Sequence, residues 1–282
     1  MVASVHGVCA CGHELQSFDP QCPSCGKQLS APNVRMALAQ RDRLHSAYHL
    51  KRQSTARGLR LEELEACIGS DGRIVVNMRY STIRELLENP QVTYGNFWQD
   101  FVADRIVERN EALVARRMQV DAALFAQHTK RIRSAVLSPD GLGATFYGRF
   151  AVTLRQLLIA DRTSLLENNP FNVDLSRVNE LLRAIWDDRA KLAVVRYGDS
   201  VATSDVPIAT LIRVIGAERD GQAFMEAHIW DTFTREAFEN VVAQVPPGAL
   251  DPQLIGDLAR IEDLCNRAGI AFERVEDVLV RA

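Results

Sequence analysis

The sequence predicts an α+β protein with an N-terminal zinc ribbon, a helical middle region and a C-terminal domain built on a mixed or antiparallel sheet. Three observations support this prediction. Four of the six cysteines lie within the first 25 residues, apolar residues at helical spacing follow, and shorter, more aromatic segments begin near residue 124. The predicted regions are 1–30 (zinc ribbon), 31–123 (mainly helical) and 124–282 (α+β domain).

Composition excludes several classes of protein. The chain has 282 residues, 47% of them hydrophobic, which suffices for the core of one large domain or two medium ones. Its net charge of -3 provides no global basic field for nucleic-acid binding. There is no charged and then apolar leader and no apolar run near 18 residues, so we expect neither a secreted disulfide scaffold nor a membrane span. A cytoplasmic location is the expectation.

The N-terminal cysteines form two close pairs, each followed by glycine and separated by a ten-residue loop. Tetrahedral zinc binds four cysteine sulfurs at about 2.3 Å, and a glycine after each pair relieves backbone strain in the turn. The first pair is one residue shorter than Cys-x-x-Cys, so His6 or His13 is an alternative ligand to Cys9. A segment this short has no core of its own and should depend on metal for folding. The predicted ligands of a structural zinc ion are Cys9, Cys11, Cys22 and Cys25.

The next region begins with a basic segment. Residues 27–60 contain eight basic side chains and one acidic side chain, Asp42. The spacing of apolar residues predicts a helix over 34–52, and we name 34–60 the basic segment. It is the one candidate surface for a polyanion, and a solvated helix face is the alternative. The eight basic residues are Lys27, Arg35, Arg41, Arg43, Lys51, Arg52, Arg57 and Arg60.

The remaining elements follow from periodicity and from turn residues. Ser81 is the expected N-cap of one helix. The predicted helices are 61–68, 81–88, 97–125, 130–136, 156–160, 175–186, 235–242, 252–268 and 275–280. The predicted strands are 74–78, 144–154, 163–166, 192–197, 208–215 and 223–230.

Familiar enzyme motifs are missing from the sequence. It contains no G-x-S-x-G elbow, no G-x-x-x-x-G-K-[ST] loop and no G-x-G-x-x-G after a strand. Serine hydrolases, P-loop nucleotidases and Rossmann dehydrogenases therefore lack positive evidence.

One predicted strand combines apolar and ionisable residues. Alternation places Glu226 and His228 on one face of this strand, with Phe224 and Trp230 at the ends of that face, and Ile229 on the other. The Ile229 face is apolar and should pack in the core. The Glu226 face must then line solvent or a cleft, and an aromatic residue at each end favours a cleft.

Three short motifs in residues 124–245 resemble the ADP-ribosyltransferase superfamily, particularly its divergent toxin-like and effector-like bacterial members. Tyr147-Gly opens a predicted strand, Arg162-Thr-Ser opens another after a helix, and Glu226 lies on a late strand before a loop and a predicted helix. The chain departs from the better-known pattern because it has neither a Ser-Thr-Ser triplet nor a Glu-x-Glu, which leaves the acceptor chemistry open.

The resemblance implies an enzyme that uses NAD as substrate and transfers ADP-ribose. It assigns Glu226 to stabilising the cationic ribose, Arg162 to the pyrophosphate and Tyr147 to stacking on nicotinamide. A strand-end ion pair for Arg162 and a core position for Tyr147 are the alternatives. Residues implied to contact NAD are His128, Thr163, Ser164 and His228.

Partners follow from the same resemblance. A protein or nucleic-acid acceptor, contacted by the basic segment, is implied, and a toxin or defence effector of this kind can have a neutralising antitoxin. The competing hypothesis is a non-enzymatic zinc-ribbon protein that binds a partner or nucleic acid.

Overall fold

A computed structural model describes residues 5–16, 19, 21–55, 58–95, 111–221, 223–246, 248 and 251–276. Its strands are β1 (Val5–Val8), β2 (Glu14–Gln16), β3 (Arg73–Met78), β4 (Ile132–Ser138), β5 (Phe150–Leu154), β6 (Thr163–Leu166), β7 (Arg183–Ile185), β8 (Glu226–Trp230), β9 (Phe238–Val245) and β10 (Ala271–Glu276). Its α-helices are α1 (Pro32–Ala39), α2 (Arg41–Ser54), α3 (Gly58–Asp71), α4 (Tyr80–Glu88), α5 (Glu111–Phe125), α6 (Gln156–Ile159), α7 (Arg189–Ala202), α8 (Ile208–Gly221) and α9 (Pro252–Ala268).

Two sheets organise these elements. Strands β1 and β2 form a small antiparallel hairpin at the N-terminus. The other eight form one sheet in the order β10-β9-β5-β3-β4-β8-β6-β7, in which only β9 and β10 pair in parallel. The predicted α+β class with a mixed, mostly antiparallel sheet is therefore confirmed. None of the described helices combines the length and apolarity needed to cross a bilayer.

The two faces of the large sheet are covered differently. One face packs against α3, α4, α7, α8 and α9 and forms the main hydrophobic core. On the opposite face, α5 covers β4, β8 and β6, and a smaller cluster around Val120, Leu124 and Trp230 fills the space between. Helix α1 packs against β6, β7 and β8. Both faces of β8 are consequently buried.

The large sheet contains strands from both sides of the predicted domain boundary at residue 123. Strand β3 comes from the region predicted to be mainly helical, yet it pairs with β4 and β5 near the centre of the sheet. The cause is a long-range pairing that local periodicity does not encode. Residues 31–123 and 124–276 thus contribute to one sheet and one main core.

Several local predictions are confirmed: helices in 61–68, 156–160 and 252–268 and strands at 74–78 and 163–166. The predicted helix 97–125 is confirmed over Glu111–Phe125, and residues 96–110 lie outside the described residues. The predicted helix 34–52 divides at Gln40 into α1 and α2. Helix α4 begins at Tyr80 with Arg79 as its N-cap, so the prediction for Ser81 is wrong by two positions.

Other predictions are wrong because a short apolar run fits the period of a buried helix as well as that of a strand. Segments 192–197 and 208–215 were expected as strands but lie in α7, where this segment is mostly buried, and in α8, where Ile208, Ile212 and Ile215 bury one face. Conversely, β4, β9 and β10 replace predicted helices at 130–136, 235–242 and 275–280, the last of these only as far as the described residue 276. The predicted helix 175–186 is a 3-10 segment followed by β7.

Candidate functional site

The four N-terminal cysteines converge. The sulfur atoms of Cys9, Cys11, Cys22 and Cys25 all lie within 4.8 Å of one another. Cys9 Sγ is 3.6 Å from Cys25 Sγ, and Cys11 Sγ is 3.6 Å from Cys22 Sγ. Four thiolates at 2.3 Å from a tetrahedral ion stand about 3.8 Å apart, so the observed spacing fits such an ion. The cluster can hold a metal ion such as zinc.

Each cysteine pair is shaped by a tight turn. The amide of Gly12 donates to Cys9 O at 2.8 Å, and the amide of Gly26 donates to Cys22 O at 2.9 Å. Both glycines have positive φ, +88° and +70°, which matches the role expected for a glycine after each pair. The short first pair therefore still directs both of its sulfurs into the cluster.

The electrostatics of the cluster favour thiolate at one ligand. A hydrogen bond from the His13 backbone and one from Cys22 lower the pKa of Cys11 to about 6. Among the described side chains, no histidine joins the four sulfurs, and the His6 side chain lies outside the described residues. The four-cysteine set is thus the one the structure brings together.

A second polar cluster lies on the face of β8 that α5 covers. In the sheet, Glu226 pairs with Val136 of β4 and Leu166 of β6, and His228 pairs with Ser134 and Ser164. Directly paired residues share a face, so these side chains project together toward α5. Glu226 is 2% exposed and His228 is 1% exposed. The predicted alternation is correct, but the face lies under a helix.

Glu226 lies beside a guanidinium and an imidazole. Its Oε1 lies 3.6 Å from Arg117 Nη2 on α5 and 3.6 Å from His228 Nε2. Arg117 also donates to Asp121 Oδ2 at 2.9 Å and to Ser134 Oγ at 2.9 Å. The result is a buried network joining α5, β4 and β8.

Two atoms in this network have unused hydrogen-bonding capacity. Glu226 Oε2 and His228 Nδ1 are buried and make no hydrogen bond to the described residues. Buried polar atoms normally have partners, because leaving one unpaired costs about 1–3 kcal/mol. Such an atom beside a charged group is a candidate contact for a ligand.

The surroundings hold Glu226 in its ionised form. Burial alone would raise the pKa of Glu226, but His228, Arg117 and Ser134 outweigh burial and lower it to about 2. Burial raises the pKa of Asp121 despite the neighbouring Arg117. The pKa of Glu226 is therefore lowered while that of Asp121 is raised, and Glu226 is ionised at neutral pH.

Tyr147 lies at the edge of the same cluster. It belongs to a 3-10 turn, Thr145–Tyr147, and Gly148 separates it from β5, so the predicted strand 144–154 begins only at Phe150. The residue is 40% exposed, and its ring packs edge-on against that of Phe224, with the ring centroids 6.0 Å apart. Partial burial, followed by the charge of Glu226, raises the pKa of Tyr147 to about 12. Its hydroxyl therefore stays protonated near Glu226.

Arg162 lies at the other end of β8. Its Nη1 donates to Trp230 O at 2.6 Å and Thr232 O at 3.1 Å, while Glu226 begins the strand. His128 also lies at this end, with its ring 5.9 Å from that of Trp230. The structure thus brings Tyr147, Glu226 and His228 together and places Arg162 and His128 away from Glu226.

The two remaining predicted contacts differ in orientation. Ser164 is buried on the Glu226 face, opposite His228. Thr163 pairs with Ile229, on the face toward the main core, and donates to Ile159 O at 2.7 Å. Ser164 therefore borders the polar cluster, while the Thr163 hydroxyl bonds the backbone that precedes β6.

Sequence reasoning missed four residues of this cluster: Arg117, Asp121, Ser134 and Asn33. The i,i+4 spacing of Arg117 and Asp121 was a usable signal for a helical ion pair. Nothing in the sequence indicated Asn33, which is fully buried at the start of α1. Its Nδ2 donates to His228 O at 2.7 Å, Arg162 O at 3.1 Å and Ser164 Oγ at 3.2 Å.

The basic segment is largely engaged with the rest of the chain. Arg41 Nε lies 2.8 Å from Asp188 Oδ2, Lys51 Nζ lies 2.8 Å from Asp199 Oδ2, and Arg52 pairs with Glu65 at 2.8 Å. A polyanion at this surface would compete with these carboxylates. Other basic side chains of the segment bond backbone carbonyls or a further carboxylate, namely Arg35, Arg43 and Arg60.

Comparison with known proteins adds no family to these observations. No protein-family model matches the chain, and no curated protein matches its sequence.

Proposed function

We propose that this chain is an NAD-dependent ADP-ribosyltransferase-like enzyme with Glu226 as its catalytic carboxylate. In the proposed reaction, the bond between ribose C1′ and the nicotinamide nitrogen breaks, and its electron pair leaves with nicotinamide. The acceptor forms a new bond to C1′ and loses a proton. The observation that carries the proposal is the buried, ionised Glu226 with an unpartnered oxygen.

A fixed anion suits this chemistry. Positive charge on the ribose grows as the bond breaks, so a preorganised carboxylate stabilises the transition state more than the ground state. Its low pKa keeps Glu226 charged across the physiological range. His228 Nδ1, also unpartnered, is available to a ribose hydroxyl.

Access to Glu226 requires a change at α5. Arg117 Nη2 stands 3.6 Å from the carboxylate, and the residue is 2% exposed. In the proposal, the cationic ribose takes the place of this guanidinium. Tyr147, which is 40% exposed, forms the edge through which the substrate enters and stacks on nicotinamide.

The metal in the proposal is zinc in a structural role, held by the four cysteines. Four thiolates without an open position are typical of structural zinc. Among the described residues of the first 30, the buried apolar side chains form a small cluster of Cys9, Leu15 and Cys22 packed against Leu29. Zinc supplies folding energy to this segment when bound.

The proposed acceptor is a protein or a nucleic acid, and the proposed setting is a toxin or defence effector with a neutralising antitoxin. If so, expression of the chain in bacteria without its antitoxin should arrest growth. Glu226→Gln should relieve the arrest at an equal protein level.

The direct test is nicotinamide release from NAD by the full-length protein. Release is measured with water alone, with RNA and with a protein lysate, and we expect Glu226→Gln to lower the rate at least about 100-fold. Glu239→Gln, an exposed carboxyl on β9, is the matched control and should retain the rate. If no arm shows release, or if Glu226→Gln retains the rate, the alternative of a zinc-ribbon interaction protein without turnover is favoured.

The zinc assignment has its own measurement. Metal analysis of purified protein should find about one zinc per chain, and Cys22→Ser should lose it. Cys67→Ser, which alters a cysteine outside the cluster, should keep it. Zinc retained by Cys22→Ser would contradict the assignment.

A further inference from the structure

Free cations lie at one end of the large sheet. Strand β3 ends at Met78, which pairs with Phe150 at the start of β5, and β4 also begins at this end because it runs antiparallel to β3. An exposed basic residue lies just outside each of these three strands. We name this set the sheet rim: Arg79 after β3, Lys130 before β4 and Arg149 before β5.

The side chains of the sheet rim lack carboxylate partners. None of the three makes a hydrogen bond or an ion pair to the described residues. In the basic segment, by contrast, Arg41, Lys51 and Arg52 each pair with a carboxylate. Asp231, at the end of the neighbouring β8, already accepts from Arg131 at 2.7 Å. The described part of the chain therefore leaves the three rim charges without a counter-charge.

Close packing holds two of these charges near each other. Arg79 follows Met78 and Arg149 precedes Phe150, and Met78 and Phe150 are directly paired. Gly148 permits the close approach, because a Cβ added to it would meet the Met78 carbonyl carbon at 2.2 Å. Like charges opposite one another on paired strands are destabilising. An anion bound between the two guanidinium groups would remove this repulsion.

Exposed aromatic rings adjoin the sheet rim. Phe146 is 58% exposed and Tyr147 is 40% exposed, and both lie in the turn that leads through Gly148 to Arg149. Proteins that bind single strands of nucleic acid combine cations along the phosphates with aromatic rings on which bases stack. Cations alone would suit any polyanion, so the aromatic pair is the feature that favours a nucleic acid.

We propose that the sheet rim binds single-stranded nucleic acid. Phosphates contact Arg79, Lys130 and Arg149, and a base stacks on Phe146. A duplex keeps the faces of its bases within its own stack, so a single strand is the form that fits. Tyr147 borders the Glu226 cluster, and the bound strand therefore lies beside the entrance to that cluster. Treating the strand as the acceptor of ADP-ribose rests on the proposed function, but its binding at the sheet rim does not.

Fluorescence anisotropy with labelled oligonucleotides tests the proposal on the full chain. The probes are oligothymidine and oligouridine of about 20 nucleotides and a DNA duplex of equal length. We expect saturable binding of a single strand and at least about tenfold weaker binding of the duplex, and the ratio of the two single strands tells DNA from RNA. No saturable binding of either single strand, or a duplex that binds as tightly, would overturn the proposal.

The rim charges have a signature in the salt dependence. Three phosphate contacts on a single strand contribute about -2 to the slope of log affinity against log salt concentration. The combined variant Arg79→Gln, Lys130→Gln and Arg149→Gln should lose this part of the slope and bind at least about tenfold more weakly at about 0.1 M salt. A variant that is folded by circular dichroism and keeps the native affinity and slope would overturn the proposal.

A matched control removes the same charge elsewhere. Arg177, Arg260 and Arg267 are exposed and pair with surface carboxylates, and their combined replacement by Gln should leave binding close to that of the native protein. An equal loss of affinity in the control would show that net charge rather than the sheet rim holds the strand, and would overturn the proposed position.

The stacking contact has its own test. Phe146→Ala should weaken the binding of a single strand at least about fivefold. Leu157→Ala changes a 98% exposed apolar residue outside the sheet rim and should bind as the native protein does. If the combined rim variant fails to fold, this pair decides. Undiminished affinity in a folded Phe146→Ala variant would reject a single strand as the occupant and favour a general polyanion.

The two proposals fail separately. Binding of single strands at the sheet rim without nicotinamide release from NAD would retain the rim and reject the enzyme. Nicotinamide release without any binding of single strands would do the reverse.

Discussion

The charge of Glu226 predicts a specific loss of stability in acid. Its carboxyl has a pKa of about 2 in the folded protein against 4.5 as the ordinary value. One unit of difference corresponds to about 1.4 kcal/mol, so ionised Glu226 contributes about 3 kcal/mol to the free energy of unfolding. Because the folded pKa is the lower one, this contribution is present above pH 4.5 and disappears as the pH falls toward 2.

Glu226→Gln removes the titration and therefore the pH-dependent part of this contribution. Urea unfolding of both proteins, followed by circular dichroism from pH 7 to pH 3, measures the difference. Between pH 5 and pH 3 the native protein should lose about 2 kcal/mol more than Glu226→Gln. Loss of metal from the cysteines in acid is common to both proteins and cancels. Glu239→Gln, on an exposed position, should follow the native protein.

A difference between the native protein and Glu226→Gln that stays constant from pH 7 to pH 3 would refute the reasoning. It would mean that folding does not change the affinity of Glu226 for protons. A Glu226 that is protonated when folded would instead make the native protein gain stability relative to Glu226→Gln as the pH falls from 7 to 4.5. A protonated Glu226 could not supply the fixed negative charge that the proposed reaction requires.

Four further tests address other parts of the structure: three substitutions followed by urea unfolding, and a chelator followed by thermal unfolding. Arg183→Met should raise the free energy of unfolding by about 1 kcal/mol or more, because Arg183 is 2% exposed and burial lowers its pKa to about 10; a loss of stability would contradict this. Asn33→Ala should cost about 2–3 kcal/mol through its lost buried hydrogen bonds, and a neutral result would mean that α1 is not anchored there. Gly143→Ala should cost more than about 1 kcal/mol, because φ is +62° and the new Cβ would meet an amide oxygen at 2.1 Å; unchanged stability would refute that geometry. A chelator should lower the melting temperature of native protein and of Cys67→Ser alike, but not that of Cys22→Ser, and equal sensitivity of all three would argue against metal at the cysteines.

Features encoded by neighbouring residues could be predicted from the sequence. The spacing of the cysteine pairs and their following glycines indicated a metal cluster, and the four sulfurs do converge. Alternation along β8 correctly separated Glu226 and His228 from Ile229. The last helix was also predictable, and Asp251 caps its start while Gly269 ends it.

Features that depend on distant partners could not be predicted. An apolar run such as 192–197 suits a strand or a buried helix, and only the packing of α7 against α3 and α2 decides between them. Arg117 lies in a helix that the sequence predicts, yet only the packing of that helix on the sheet brings the side chain to Glu226. Tyr147 left the predicted strand because a 3-10 turn and Gly148 precede β5. Each outcome follows from tertiary packing rather than from local preference.

Strand β8 joins the two candidate sites through α1. Asn33 donates to the carbonyl of His228, and Arg35 of the same helix donates to Gln16 O in β2 of the ribbon. Helix α1 begins seven residues after Cys25, so any displacement of the cysteine cluster acts on a helix that is bonded to β8. A metal ion bound at the cysteines would stabilise the arrangement in which α1 bonds β8, because the cysteine cluster and β8 both contact this helix. A structural metal in the ribbon would therefore act on the geometry around His228 and Glu226 without touching either side chain.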